Sequence, residues 1–323
     1  MQTRKLGYSD LNLTTIGLGT WAMGGGAWKF GWGPQDDQAS IDSIHRALDM
    51  GINWIDTAAI YGHGRSEQVV GQAIKGRRDS VIIATKCGRV WDEGSTEIGK
   101  SLKGESIRQE VENSLRRLDI DIIDLYQIHW PEPDDEIEEG WQTMAALVKE
   151  GKVRYVGVSN FSLEQLERIQ SIHPVISLQP PYSMLRREVE KDILSYCRKQ
   201  NIGVIAYSPM QAGLLTGKFD RQRAAQLPAS DWRSRNPYFS EPQLSVNLET
   251  VDKLKKITKE RGITLAQLSL AWVLRRPEMT SAIVGARHPK QIEETAAASA
   301  IQLSPEDIDQ IETILYEREA AIT

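Results

Sequence analysis

Four polar residues have side chains that could share one catalytic reaction: Asp56, Tyr61, Lys86 and His129. Asp56, Lys86 and His129 each end an apolar, strand-like run, and Tyr61 lies in the loop that follows Asp56. Enzymes built on parallel barrels keep their chemistry at strand ends. Each residue alone also has a structural explanation, such as a capped carboxylate, a snorkelling amine or a hydrogen-bonded imidazole. Their occurrence in succession is what favours a joint catalytic role.

Proton delivery to a carbonyl is the chemistry that needs these four side chains. A phenol with an ordinary pKa of about 10 is a poor acid at neutral pH unless a nearby ammonium stabilises its phenolate, and Lys86 can supply that charge. A buried lysine would itself lose its proton without a carboxylate beside it, which Asp56 provides. His129 then positions the carbonyl oxygen.

Length and composition limit the possible classes of protein. A chain of 323 residues suits one large α/β barrel or two smaller domains, and because no low-complexity linker occurs we expect a single domain over residues 1–323. The formal net charge is −5, and Lys and Arg residues are scattered. Binding to nucleic acid or to an anionic membrane is therefore not expected, and a small molecule is the expected partner.

The cysteines and histidines point to a cytoplasmic protein without a catalytic metal. Only Cys87 and Cys197 are present, and no run of 18 apolar residues occurs, which predicts a soluble protein of a reducing compartment. Cys87 is interpreted as a packed thiol rather than a redox switch. The five histidines lie on different predicted elements without ligand spacing, so catalysis is expected to be metal-free.

Short β-rich runs alternate with amphipathic helical segments along the chain. Eight strands are predicted, at 15–18, 53–56, 81–86, 122–129, 153–159, 175–179, 203–207 and 281–284. Between them the periodicity predicts helices that include 38–50, 105–118, 162–172 with a Ser-x-x-Gln capping box, and 265–275. Eight such units close an α/β barrel of the (β/α)8, or TIM barrel, type.

Four segments stand outside this repeat. Residues 3–13 predict an N-terminal β-hairpin with a turn at 8–10, and Ser-Pro-Glu at 304–306 opens an extra C-terminal helix. The long irregular segment 209–246 is interpreted as a lid, because compact domains seldom keep such loops without a use. Segment 23–33 combines five glycines with Trp28, Phe30 and Trp32. It predicts an aromatic substrate rim, with a flexible surface loop as the alternative.

Two glycine motifs match nucleotide-binding patterns only in part. Residues 17–22 read Gly-x-Gly-x-x-Ala, but the glycines at 24–26 cannot continue into the helix that a Rossmann fingerprint requires. Residues 213–219 lack the spacing and the Ser or Thr of a Walker loop, although their amides and Lys218 could still bind a phosphate. Neither motif classifies the protein.

The four residues and their surroundings resemble the aldo-keto reductase superfamily, over essentially the whole chain. That family carries an Asp, Tyr, Lys and His tetrad at strand ends of a barrel without a Rossmann domain. The matching segments are Gly-Ile-Asn-Trp-Ile-Asp-Thr-Ala-Ala-Ile-Tyr-Gly at 51–62, Ile-Ala-Thr-Lys at 83–86 and Gly-Val-Ser-Asn-Phe at 157–161. The long loop after the seventh strand and Ile-His-Trp-Pro at 128–131 are most similar to bacterial members related to potassium-channel β subunits.

The resemblance implies Tyr61 as proton donor, Lys86 and Asp56 as its tuners, and His129 as the orienting group, with hydride from a nicotinamide at the barrel mouth. It also implies cofactor contacts. Thr20 and Trp21 after the first strand would contact the cofactor, as would Asp56. Ser159 and Asn160 would lie at the carboxamide, Gln179 beneath it and Tyr207 stacked on the ring. The pyrophosphate is expected along Ser208, Pro209, Met210, Gln211, Ala212 and Lys218, with Arg233 or Arg235 closing the lid.

Segment 284–295 resembles the family's adenosine-phosphate segment. The resemblance implies that Arg287 meets the 2′-phosphate of NADPH and Glu294 the adenine, with Gly285, Gln291 and Thr295 as further contacts. NADP is therefore preferred over NAD. The sequence departs from the commoner pattern, with Gln291 where many members carry Arg and Thr295 where Asn is usual.

The expected activity is NADPH-dependent reduction of aldehydes and ketones to alcohols, with the reverse oxidation possible. A nicotinamide-binding regulatory subunit that reports redox state to a partner is the alternative from another class. A barrel hydrolase that uses Asp56 and His129 is the third, and it gives no role to Tyr61 and Lys86. Neither the physiological substrate nor the oligomeric state follows from the sequence, because loop shape rather than motif determines them.

Overall fold

The computed structural model describes residues 1–26, 28–92, 94–95, 97–228 and 231–322. Its strands are β1 (Thr3–Lys5), β2 (Asn12–Thr14), β3 (Ile16–Gly19), β4 (Trp54–Asp56), β5 (Ile82–Cys87), β6 (Arg89–Val90), β7 (Gly99–Lys100), β8 (Ile123–Ile128), β9 (Val153–Ser159), β10 (Ser177–Gln179), β11 (Gly203–Ala206) and β12 (Met279–Gly285). Its helices are α1 (Asp37–Asp49), α2 (Arg65–Ile74), α3 (Gly104–Leu118), α4 (Ile137–Lys149), α5 (Leu163–Gln170), α6 (Ile193–Lys199), α7 (Arg221–Ala225), α8 (Gln243–Arg261), α9 (Leu265–Leu274), α10 (Pro289–Ala296) and α11 (Pro305–Ile322).

Eight strands form a closed parallel barrel, in the order β3, β4, β5, β8, β9, β10, β11 and β12, with β12 returning to β3. Each of them overlaps a strand predicted from the sequence, so the predicted (β/α)8 barrel is confirmed. The N-terminal hairpin of β1 and β2 and the extra helix α11 are also present. Among the described helices, none combines the length and the apolarity needed to cross a bilayer.

Local sequence signals explain where several helices begin. The predicted capping box is present at α5, where the Ser162 hydroxyl accepts from the Gln165 amide and the Gln165 side chain accepts from the Ser162 amide. The predicted irregular segment 209–246 is wrong in two places, because it contains the short helix α7 and because α8 already begins at Gln243, directly after Pro242. Proline is well tolerated at the start of a helix, where its missing N–H has no intrahelical acceptor.

The barrel interior is filled by large apolar side chains at its lower end and polar ones at its upper end. Trp54 is fully buried at the lower end and packs in a cluster with Leu6, Leu11 and Leu13, which come from the N-terminal hairpin and its turn. The Trp54 indole donates to the carbonyl of Thr14 and to the hydroxyl of Ser281. This packing fixes β4, and Asp56 stands two residues after Trp54 on the same face of that strand.

The contact between Gly17 and the Trp54 ring makes the first testable prediction. A Cβ atom added at Gly17 would lie 2.0 Å from the ring, and the two indole hydrogen bonds prevent the ring from withdrawing without loss. We expect Gly17→Ala to lower the free energy of unfolding by about 1–3 kcal/mol or more, as overpacked cores do. Urea unfolding measures the change. The matched control is Gly285→Ala, where an added Cβ meets nothing within 4 Å. Equal stability of the two variants would contradict this account of the packing.

Candidate active site

The upper ends of the barrel strands bring the predicted tetrad together. Asp56 ends β4, Lys86 lies near the end of β5, and His129 follows β8 directly. Tyr61 is carried by the turn between β4 and α2. The amide of His129 donates to the carbonyl of Cys87 at 3.0 Å, which continues the ladder between β5 and β8 and fixes the start of the histidine loop.

Lys86 is the centre of the hydrogen bonds in this group. Its ammonium donates to both carboxylate oxygens of Asp56, at 2.9 and 2.7 Å, and to the carbonyl of Thr57 at 2.8 Å. It also donates to the phenol oxygen of Tyr61 at 3.4 Å. Lys86 is only 1% exposed, and burial lowers its pKa while the adjacent Asp56 carboxylate raises it. Gln179 donates to Asp56 as well, at 2.8 Å, so the carboxylate is held from two strands.

The protonation of Tyr61 differs from the sequence expectation. The expectation was that Lys86 eases ionisation of the phenol. In the structure, burial raises the pKa of Tyr61 well above 10, and the Asp56 carboxylate and Tyr207 raise it further. Desolvation outweighs the ammonium because a phenolate loses its hydration in this site. Tyr61 is therefore a neutral phenol that retains its proton at neutral pH.

His129 lies beside Tyr61, with ring centroids 5.7 Å apart and planes nearly perpendicular. Its pKa is lowered well below 6.5, first by burial and then by the charges of Lys86 and Arg89. The imidazole is therefore neutral at neutral pH, with one N–H donor and one acceptor nitrogen. A neutral imidazole can donate a hydrogen bond to a carbonyl oxygen without adding a charge to the site.

A second hydrogen-bonded group follows β9 and β11. Asn160 has a left-handed backbone (φ +65°). Its side-chain Nδ2 atom donates to the carbonyl of His129 and to the Ser159 hydroxyl, both at 3.0 Å. The Tyr207 hydroxyl donates to the Asn160 carbonyl oxygen at 2.9 Å, and Ser159 donates to the backbone of Gln179. These bonds hold the predicted nicotinamide contacts in one connected set beside the tetrad.

A cleft of about 1320 Å³ opens above these groups. Nearly all of the residues predicted from the sequence line it: Trp21, Asp56, Tyr61, His129, Ser159, Asn160, Gln179, Tyr207, Ser208, Pro209, Met210, Gln211, Ala212, Lys218, Arg233, Gly285, Arg287, Gln291, Glu294 and Thr295. Lys86 lies behind this lining. Thr20 is fully buried, with its hydroxyl bonded to the Asp56 carbonyl and to Ser66, so its side chain supports the strand end rather than the cleft.

Aromatic rings cover one side of the cleft, as the predicted rim requires. Trp21 stacks between Tyr61 and Trp232, at centroid distances of 6.4 and 5.3 Å. Trp28 lies 6.1 Å from Tyr61, and Trp32 meets Trp21 edge-on at 5.4 Å. Trp28 and Trp32 of the predicted rim therefore form an aromatic wall beside the tetrad, together with Trp21 and Trp232. Trp232 comes from the predicted lid segment, and its part in the wall was missed because periodicity does not show which loop meets which.

The loop after β11 has an unusual backbone. Ser208, Gln211 and Ala212 all have left-handed φ angles, between 45 and 52°, followed by Gly213 at 100°. Non-glycine residues seldom adopt this region, and clusters of them occur mainly at functional sites. Tight turns of this kind can present amide N–H groups to an anion.

The predicted phosphate-binding cations have protein partners. Arg233 is buried and donates to both carboxylate oxygens of Asp231, at 3.0 and 2.6 Å. Lys218 pairs with Glu294 at 2.7 Å across the cleft, so the residue predicted for the pyrophosphate and the one predicted for adenine meet each other. Arg235, the alternative to Arg233, is exposed and reaches the backbone of Lys29 at 3.5 Å.

Arg287 is bound to an uncharged loop. Its guanidinium donates to the Gln35 side chain at 2.7 Å and to the carbonyls of Trp32 and Pro34. Within the described ranges, no carboxylate is paired with it. The side-chain oxygen of Gln291 accepts from the Arg287 and His288 amides, so this residue caps α10. Gln35, which the sequence reasoning missed, lies 252 positions away from Arg287.

Comparisons with known proteins identify the family of the chain. The aldo/keto reductase family model matches residues 15–316. The chain is 40% identical to the aldo-keto reductase YhdN of Bacillus subtilis (strain 168), covering 98% of this chain and 94% of that protein. It is 37% identical to the NADH-specific methylglyoxal reductase of Escherichia coli (strain K12), covering 95% and 96%.

A solved structure is similar over almost the same extent. The glycerol dehydrogenase AKR11B4 from Gluconobacter oxydans superimposes with a TM-score of 0.89 at 38% identity, covering 98% of this chain and 95% of that one. A family match over most of the chain, together with relatives of this identity and coverage, establishes the family. The chain belongs to the aldo/keto reductase family.

Proposed function

We propose that the protein catalyses the reversible reduction of aldehydes and ketones to alcohols with a nicotinamide cofactor, and that NADPH is the preferred donor. The observation that carries this proposal is the Lys86 ammonium, which bonds Asp56 on one side and the Tyr61 phenol on the other, with neutral His129 beside them. Two of the similar proteins are named as a methylglyoxal reductase and a glycerol dehydrogenase. These names indicate small carbonyl or alcohol substrates for those proteins.

The roles of the four side chains follow from their protonation and contacts. Tyr61 holds the proton that the carbonyl oxygen receives, since its raised pKa keeps it a phenol. An alkoxide is a stronger base than a phenolate, so transfer from a neutral phenol is favourable. Lys86 donates to the tyrosine oxygen and stabilises the charge left there. His129 orients the carbonyl oxygen, and Asp56 with Gln179 keeps Lys86 in place.

The residues of the cleft fit a dinucleotide. The indole N–H groups of Trp32 and Trp232 are buried and have no acceptor in the described part of the chain, so an oxygen-rich ligand would satisfy them. The strained turn at Ser208, Gln211 and Ala212 suits a pyrophosphate. Arg287 carries a positive charge at the other end of the cleft. When bound, the nicotinamide supplies the hydride that the protein has no group to provide.

An absorbance assay tests the proposed activity. NADPH oxidation would be followed with a panel of sugar, aromatic and aliphatic aldehydes, and we expect turnover with several of them. Tight NADPH binding without turnover on any aldehyde would contradict the proposal and favour a regulatory nicotinamide-binding subunit. Absence of both binding and turnover would reject a nicotinamide function altogether.

The preference for NADPH depends on Arg287 and gives the second prediction. A charge-assisted contact to the 2′-phosphate contributes roughly 1.5–3 kcal/mol, so Arg287→Ala should weaken NADPH binding by about 10- to 150-fold and NADH binding by no more than about twofold. Fluorescence titration with both cofactors measures this asymmetry.

Gln35→Ala is the matched control for Arg287→Ala. It removes the bond between the Gln35 side chain and Arg287 but keeps the guanidinium and its bonds to the Trp32 and Pro34 carbonyls. Any effect of that variant should fall on both cofactors alike. If Arg287→Ala weakens NADPH and NADH equally, Arg287 serves the loop and not the 2′-phosphate, and the cofactor preference has another source. An NADH-specific relative at 37% identity makes this comparison informative.

A further inference from the structure

Two cations face each other on a small hairpin at the edge of the cleft. Strands β6 and β7 pair antiparallel, with Arg89 directly opposite Lys100, and both residues line the cleft. Like charges at directly opposed positions destabilise a strand pair. The hairpin follows β5, the strand that carries Lys86, so it lies immediately above the tetrad. Both side chains line the space above the tetrad, where a substrate would lie.

One carboxylate is shared between these two cations. Glu132 accepts from Arg89 at 2.7 Å and from Lys100 at 2.9 Å, and these bonds lower its pKa, so it is ionised at neutral pH. Residues 89–100 also contain three acidic residues, so the hairpin carries no net positive charge, and an anion would be bound through the free donor of Arg89. Glu97 also lines the cleft, but in the described ranges it forms no ion pair with either cation. The two cations are thus only partly compensated by groups in direct contact.

One terminal nitrogen of the Arg89 guanidinium has a hydrogen-bond acceptor, and the other has none among the described residues. Glu132 holds the Nη2 atom, while Nη1 is buried and has no acceptor among the described residues. The side chain is 13% exposed, and its guanidinium lies over the Trp130 ring at 5.8 Å. Arg89 is near enough to His129 for its charge to lower the histidine pKa. A buried cationic N–H without an acceptor is costly, so an oxygen atom of a ligand is the expected partner.

A second donor without an acceptor, the indole of Trp28, lies beside Tyr61. Trp28 is 7% exposed, and its indole nitrogen is buried without an acceptor in the described chain. Its ring belongs to an apolar cluster that includes Tyr61 and also Ile98, next to β7. An indole N–H can only donate. The groups around the catalytic phenol that still need a partner are therefore donors.

We propose that the preferred carbonyl substrate carries a carboxylate, which Arg89, Lys100 and the indole of Trp28 bind beside the tetrad. The inference rests on the proposed reductase function and specifies its substrate class. A carboxylate is ionised at neutral pH and offers two oxygens with about four acceptor positions, enough for a guanidinium arm and an indole N–H at once. A neutral hydroxyl would give Arg89 a weaker hydrogen bond, because it lacks the charge that strengthens the bond to a carboxylate.

A matched pair of aldehydes tests the substrate class. The wild-type enzyme would be assayed with NADPH on 4-formylbenzoate and on 4-formylbenzamide, in which a neutral amide replaces the carboxylate and neither compound can cyclise. We expect kcat/KM to be about 10- to 150-fold higher for the acid, the factor that a charge-assisted contact supplies. Equal kcat/KM values, or a preference for the amide or for a polyhydroxylated aldehyde, would overturn the inference while leaving the reductase function intact. Turnover of neither compound nor of any other aldehyde would instead reject the function.

Charge-removing variants locate the site. Arg89→Met should reduce the ratio of kcat/KM between acid and amide to within about threefold of unity, and Lys100→Met should reduce it partly, through KM. Because Lys100 is half exposed, its variant is a second test in case Arg89→Met fails to fold. Lys103→Met is the matched control, since it removes one positive charge from an exposed residue outside the cleft lining. An unchanged ratio in both hairpin variants, or the same loss in Lys103→Met, would show that general charge and not this site selects the acid.

Discussion

Tyr61→Phe should lower the rate of carbonyl reduction by about 10²- to 10⁴-fold, the range that positioned general acids contribute. The substitution removes the phenol oxygen that accepts from Lys86 at 3.4 Å but keeps the ring that packs against Trp21, Trp28 and His129. Binding of NADPH should change little, because the aromatic contacts remain. Steady-state rates with one good aldehyde, together with fluorescence titration of NADPH, measure the two effects separately.

A different tyrosine in the cleft provides the control for Tyr61→Phe. Tyr207→Phe also removes a buried hydroxyl, one that donates to Asn160 rather than contacting Lys86. Its effect should appear mainly in cofactor binding, whereas that of Tyr61→Phe should appear in kcat. A Tyr61→Phe enzyme that keeps more than half of the wild-type rate would show that Tyr61 is a packing residue and that another group delivers the proton.

The arrangement of the tetrad could be predicted because it depends on strand ends. Apolar runs that stop at Asp56, Lys86 and His129 specify both the strands and the edge of the barrel where they meet. The family resemblance added the turn that carries Tyr61. Their catalytic roles remain predictions, but their proximity follows from the fold, because neighbouring parallel strands bring residues of equal depth within a few ångströms.

Long-range partners could not be predicted in the same way. The contact of Arg287 with Gln35 joins residues 252 positions apart, and the ion pair of Lys218 with Glu294 joins the loop after β11 to helix α10. Local sequence carries no record of such pairs. The direction of the Tyr61 pKa was also missed, since it depends on how completely the phenol is desolvated. The charged residues could be identified from the sequence, but the extent of their burial could not.

The buried ion pair of Lys86 and Asp56 lies beside the Tyr61 phenol. Substitutions in this pair can separate an effect on folding from an effect on catalysis. Lys86 and Asp56 are 1% and 3% exposed, and each is the closest charge to the other. Removing one partner of such a pair leaves an uncompensated buried charge and costs about 3–5 kcal/mol of stability. Replacing both partners by neutral groups avoids that cost. Catalysis has no such compensation, because the ammonium itself contacts the tyrosine oxygen.

Lys86→Met should therefore slow reduction by about 10²-fold or more, since no cation then stabilises the charge on Tyr61, and should also destabilise the fold. The double variant Asp56→Asn with Lys86→Met is expected to regain most of the lost stability without regaining activity. Urea unfolding and the pH profile of residual reduction distinguish the two effects. If the double variant recovers the wild-type rate, or if the single variant matches the wild-type pH profile in height and shape, Lys86 acts only in the folding of the barrel and not on the phenol.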